Sequence, residues 1–256
     1  MAAEVSACPE IEAFTSPSYR TMHYYCVTLF YIIVGQAVNQ GKAVKITAQN
    51  PNRGDPTVMA DRARTPSKDV ERALVEAAEA VLIRDGLAGV TVRAVAAEAR
   101  VAPMGVYNRF SGKHGLEREL LIRGFQNLRT EVGAPADADP LTRLRNASIG
   151  YRRFAIEHPQ HYMMMFHQTS ASEHFANEAV QDTANGAFSE LVANVRYAIA
   201  RGAIAEGDPV ALAQHVWSAL HGAVSLELDG AMRVADPAAS YAELVELLIR
   251  GLRTGL

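Results

Sequence analysis

At 256 residues, with 49% apolar and 21% charged side chains, the chain is long enough to bury two cores and too apolar to stay disordered. Its two cysteines, Cys8 and Cys26, support neither a disulfide framework nor a cysteine-based zinc site, and a reducing cytoplasm is the expected compartment. The net charge of −3 speaks against a polyanionic partner only on average: residues 91–113 set Arg93, Arg100, Arg109 and Lys113 against Glu98 alone. A charged partner feels this local balance, because screening limits its reach to about 8–10 Å.

Residues 1–66 read as an extension, poorly ordered or translated from a start placed too early. The apolar run at 24–34, YYCVTLFYIIV, falls short of the roughly 18–20 residues that cross a bilayer, and no A-x-A-like cleavage site follows it. Met59 opens MADRARTPSKDVERALVEAA, which has the form of a natural beginning with a short basic arm, Arg62, Arg64 and Lys68. Pro66 and Ser67 then mark a helix boundary.

From there the spacing predicts helices throughout. Leu74, Ala78, Val81 and Leu82 share one face of a first helix that Gly86 and Gly89 end. Thr91 is placed to cap a second helix whose inner face is Val92, Val95, Ala96 and Ala99. Val101 sits in a tight turn, and Pro103 starts a third helix at the position where a missing N–H costs least. That helix turns Val106 and Phe110 inward and leaves Pro103, Met104, Tyr107, Asn108 and Arg109 facing out. A phenol, an amide and a guanidinium on one short exposed helix suit phosphates and base edges in a major groove. Lys113 opens a fourth helix through Leu116, Leu120, Leu121 and Phe125, beside free N–H groups where a phosphate is well held. The stretch GAPADADP, 133–140, reads as a joining loop, and the rest as about five helices at 141–157, 160–168, 173–203 with a break near Gly186, 208–231 and 238–253.

Between Leu74 and Leu120 this pattern resembles the DNA-binding domain of the tetracycline-repressor (TetR) family. Thr91, Arg93, Ala96, Ala99, Gly105, Tyr107, Phe110 and Lys113 carry the match; Arg100 stands where the family has a turn glycine, and Ala102 where it has a capping Ser or Thr. Losing that cap costs roughly 1 kcal/mol, which Pro103 partly offsets. Further on, Trp217, His221 and Gly222 resemble the Trp-x-x-x-His-Gly signature of a C-terminal subclass of the family, and EHPQHYMMMF matches it more loosely. The resemblance implies an all-α protein: a three-helix helix-turn-helix domain at 67–132 and a helical effector-binding and dimerisation domain at 139–256.

It also implies a homodimer on a near-palindromic duplex, with two recognition helices about 34–36 Å apart. In that scheme Thr91 and Arg93 seat the second helix on the backbone, Tyr107 and Lys113 hold phosphates, Met104, Asn108 and Arg109 face the bases, and Pro103 heads the helix that enters the groove. The last two helices pair with their copies, with Leu212, Val216, Ala219, Leu220, Ala223, Leu226, Leu244, Leu247, Leu248 and Leu252 as the candidate buried surface. Met163, Met164 and Phe166 pack either as core or as an adaptable pocket wall. With Trp217 and His221 they make the candidate site for an apolar or amphipathic small molecule.

Catalysis and metal binding find no support. His158, His161, His167 and His174, with Glu157 and Glu173, lack a compact ligand spacing, and there is no H-E-x-x-H, G-x-S-x-G or phosphate-cradling glycine loop. No cofactor is expected. The reading is a DNA-binding transcriptional regulator, of repressor type, released from DNA by a small molecule. Its alternatives are a helical protein-interaction module, which salt would not weaken, and a membrane-tethered regulator using residues 24–34.

Overall fold

The computed structural model describes residues 67–133, 139–167 and 177–254. The expectations for residues 1–66, with the apolar run, Met59 and Arg62 and Arg64 of the basic arm, lie outside them, as do those for Glu173 and His174; Lys68 falls within the first helix. Among the described residues the regular elements are nine helices: α1 Ser67–Gly89, α2 Val92–Glu98, α3 Pro103–Phe110, α4 Lys113–Val132, α5 Pro140–Glu157, α6 Pro159–Phe166, α7 Glu178–Ala200, α8 Pro209–Leu228 and α9 Pro237–Thr254. None is long and apolar enough to cross a membrane.

The first three helices form as the spacing predicts. Leu74, Ala78, Val81 and Leu82 are buried on α1, whose last turn is kinked by Gly86 in the left-handed region. The Thr91 hydroxyl accepts from Ala94 N at 3.2 Å and caps α2. At the far end of α2 the backbone reverses through Arg100 at φ 55°, with Arg100 N donating to Ala97 O and Val101 N to Ala96 O. This is the bond pattern with which helices commonly stop, and it places its outer residue where glycine is preferred. Ala102 gives α3 no side-chain cap, as its short methyl dictates.

Gly115 sets how α4 leaves this unit. A Cβ there would lie 1.5 Å from the Phe110 carbonyl oxygen, so α4 crosses the end of α3 in direct backbone contact. From that point α4 serves two neighbourhoods: it packs on α1 and α3, and also on α5, α6 and α7. The buried side chains accordingly run as one continuous cluster from Leu74 to Leu252.

Helix α7 corrects one expectation: no break occurs at Gly186. A glycine inside a helix costs only about 1 kcal/mol against alanine, and α7 recovers it by burying Val180, Ala184, Ala187, Val192, Val195 and Ala198. Side-chain bridges then tie the helices. Arg145 bonds Glu246 and Arg152 bonds Glu227, fixing α5 to α9 and α8, while Arg153 bonds Glu131 on α4. Arg129 of α4 reaches Glu190 of α7 at 2.8 Å.

Candidate nucleic-acid interface and effector cavity

The α2–turn–α3 unit presents one exposed face. Val106 and Phe110 anchor α3 inward, at 0% and 7% exposure, while Pro103, Met104, Tyr107 and Asn108 lie open, Met104 at 65% and Tyr107 at 55%. Arg93 is exposed on α2, and Thr91, exposed too, has its oxygen engaged in the cap. Six of the eight sequence-predicted DNA contacts, Thr91, Arg93, Pro103, Met104, Tyr107 and Asn108, are thus exposed. Arg109 departs from the expectation: its guanidinium folds back along α3, donating from NH1 to Gly105 O at 3.2 Å, with Nε buried and unpartnered. Lys113 is half-buried, and its ammonium lies 3.5 Å from the Glu117 carboxylate, which is also 3.2 Å from His114 Nδ1. Glu117 is only 5% exposed. Part of the positive charge counted at 91–113 is therefore already neutralised within the chain.

A cavity opens among the middle and C-terminal helices. Its walls are Phe125, Leu128 and Val132 of α4, Ala147, Ser148 and Tyr151 of α5, Phe166 of α6, Ala184, Ala187, Phe188 and Leu191 of α7, and Trp217 and Leu220 of α8. About 60 Å³ of free space lies within an envelope of about 620 Å³, mouth included. No charged side chain lines it. An ionised ligand would give up its hydration with nothing to replace it, whereas an uncharged apolar one gains by burial.

Behind the Tyr151 wall sits a buried polar cluster. His221 Nδ1 lies 2.8 Å from both the Tyr151 and Tyr162 hydroxyls, Tyr162 reaches Ser225 at 3.3 Å, and Trp217 Nε1 donates to the Tyr151 oxygen at 3.3 Å. Burial, with His167 nearby, pushes the His221 pKa down to about 4, and burial holds the Tyr151 phenol well above its ordinary range. His221 and Tyr151 are therefore uncharged near neutral pH.

Of the predicted effector residues, Phe166 and Trp217 line the cavity. Met163, Met164 and His221 do not: Met164 is buried away from it, Met163 is half-buried, and His221 stands one layer behind, orienting Tyr151. The α4 and α7 walls were not foreseen, because which face of a helix meets an internal space depends on packing across helices distant in sequence. The dimer-surface list is corrected likewise. Leu220 forms cavity wall and Val216 is 4% exposed, so both are spent inside their own chain, as is Leu252 at 8%. Leu212, Ala219, Ala223, Leu244 and Leu248 are half-buried, while Leu226 and Leu247 stand open at 40% and 56%. Helix α8 is apolar almost all round, and periodicity alone cannot say which side turns inward.

One helix touches both regions. On α6, Phe166 faces the cavity, Tyr162 joins the polar cluster, and His161 Nε2 lies 3.5 Å from Glu79 on α1. Glu79 also accepts from Arg123 of α4 at 3.0 Å. Among the described residues no group of three or more His, Cys, Asp or Glu side chains is arranged to hold a metal ion.

Comparison with known proteins identifies the family. Residues 74–120 match the model described as bacterial regulatory proteins, tetR family, and residues 144–251 the one described as tetracyclin repressor-like, C-terminal domain. Together they span more than half of the chain, and neither separates out the Trp-x-x-x-His-Gly subclass. The HTH-type transcriptional regulator Rv0681 of Mycobacterium tuberculosis is 26% identical over 192 residues, 73% of this chain and 83% of that protein. Among solved structures, a Rhodococcus sp. RHA1 protein of unknown function superposes with a TM-score of 0.64 at 23% identity, covering 76% of this chain and all of that one. The TetR family transcriptional regulator PfmR of Thermus thermophilus gives 0.52 at 21% identity, covering 71% and 98%.

Proposed function

The chain belongs to the tetR family of bacterial regulatory proteins and is a DNA-binding transcriptional regulator, and from that premise we propose that it is a homodimeric repressor released from a near-palindromic operator by a small, uncharged, largely apolar effector. The observation that carries this reading is the double placement of α6, with Phe166 in the cavity wall and His161 against Glu79 of the helix that supports the DNA-facing unit. The free space at the cavity core equals a few water molecules. A larger body enters only by parting the walls, and a wall that moves at Phe166 moves His161, further back on the same rigid helix, with it. Helix α4 transmits the same displacement, since Phe125 and Leu128 line the cavity while Gly115 pins its other end to α3.

In a dimer such a displacement alters the separation of two α3 helices that must sit about 34–36 Å apart to enter successive grooves. Effector and DNA then oppose one another by equal and reciprocal factors in affinity. The copies meet through the outer faces of α8 and α9. Gly222 and Gly251, each with nothing within 4 Å of a Cβ position, and the exposed Leu226 and Leu247, support that surface. Two regions, 67–132 for DNA and 139–256 for effector and partner, divide the labour, with α4 common to both.

Gel-shift titration against duplex fragments of the protein's own genome, over a range of salt, tests the reading. Affinity falls steeply with salt, as phosphate contacts require. Tyr107→Ala weakens binding to every fragment, Asn108→Ala mainly relaxes base preference, and uncharged apolar compounds dissociate the complex where their carboxylate analogues do not. Salt-independent association, or none, returns the chain to a helical interaction module.

A further inference from the structure

We propose that Arg100, in the turn between α2 and α3, is a DNA-backbone contact, a phosphate anchor beyond those assigned above; the inference rests on the docking of α3 in the groove just described. Arg100 occupies the left-handed region at φ 55°, where a Cβ crowds the backbone and glycine is the favoured residue. The two bonds that close the turn, Arg100 N to Ala97 O and Val101 N to Ala96 O, are backbone bonds that glycine would make equally well. Everything arginine adds here is its side chain, whose one use within the chain is its charge near the C-terminal end of α2. The side chain is exposed and forms no hydrogen bond or ion pair with any described residue.

Three other cations nearby are engaged. Arg109 bonds its own helix, Lys113 faces Glu117, and Arg84 holds Asp85 and Glu98; among the described residues between 91 and 113, Arg93 is the other cation left unpaired. Arg100 lies three residues ahead of Pro103, between a helix that crosses the backbone and a helix that enters the groove, which is the level of the phosphates. A local strain kept without any internal partner to reward it points to an external one. A guanidinium there meets a phosphate with two parallel N–H donors, and breaks no existing bond to do so.

The test uses the full-length protein and a random-sequence duplex of about 30 base pairs, since a phosphate contact is independent of sequence. Arg100→Gly relaxes the turn, raising the melting temperature by about 2–4 °C, while affinity at low salt falls about tenfold and the slope of log affinity against log salt shrinks by about 0.9 for each phosphate no longer held. Arg100→Gln loses the same affinity with no gain in melting temperature, and Arg100→Lys keeps most of it. Wild-type affinity and slope in both Arg100→Gly and Arg100→Gln would overturn the proposal and leave Arg100 as a cation serving only the α2 dipole. Salt-insensitive or absent binding by the wild type would instead defeat the DNA docking on which it stands.

Discussion

The Tyr162 hydroxyl lies 2.8 Å from His221 Nδ1, and this buried contact joins α6 to α8 behind the Tyr151 wall of the cavity. The same nitrogen meets Tyr151, so one imidazole holds the orientation of a cavity wall and of the helix that reaches the DNA-facing unit.

That arrangement makes the fold acid-sensitive. His221 and His161 have pKa values pushed down to about 4, mainly by burial; His158 and the Arg123 charge push His161 further the same way. In the unfolded chain both titrate near 6.5. Above that pH both states are neutral and nothing is lost; as pH falls from about 6.5 towards about 4 the unfolded state takes up protons that the folded state refuses. Each histidine then costs on the order of 3 kcal/mol once the pH is below about 4. Urea unfolding of wild type and His161→Gln between about pH 7 and pH 4 checks this, with a shallower acid loss expected in the variant.

Filling the cavity separates effector response from DNA binding. Ala187 lines the space on α7, and Ala187→Val adds two methyl groups that occupy the free space without parting its walls. The variant is expected to bind duplex DNA as the wild type does and to ignore the compounds that release it. Trp217, the one tryptophan in the chain, lines the same wall, so its emission shifts with ligand in the wild type and stays fixed in Ala187→Val.

Gly222 tests the proposed dimer face. With nothing within 4 Å of its Cβ position, Gly222→Glu meets no clash within its own chain and improves helix propensity. Buried against a second copy, the carboxylate would be unpaired. Sedimentation is expected to give a folded monomer with weakened DNA binding; an unchanged dimer would place the interface elsewhere.

Two substitutions around α3 act in opposite directions. Gly115→Ala forces a methyl into the Phe110 carbonyl and should cost more than about 3 kcal/mol. Ala102→Ser supplies the absent helix cap and should add about 1 kcal/mol. Denaturation midpoints read both.

Chain-local physics was legible in the sequence. Capping by Thr91, entry by Pro103, the inward pair Val106 and Phe110 and the all-helical plan depend on neighbours within a turn or two, and the residues alone determine them. The uncapped Ala102 and the left-handed Arg100 were visible through the family resemblance, as departures from a capping Ser or Thr and from a turn glycine. What the tertiary structure decided lies across helices. Arg109 folds onto a carbonyl and Lys113 finds a buried carboxylate, so charge counted along the chain overstates charge offered to DNA. Leu220 and Val216 turn inward because α8 has apolar residues on every side, and only the positions of α4, α5 and α7 choose which side is buried. His221 became a support for the cavity wall because Tyr151 and Tyr162, 70 and 59 residues away in sequence, converge on one nitrogen. Periodicity reports which residues share a helix face; packing against distant segments decides what that face meets.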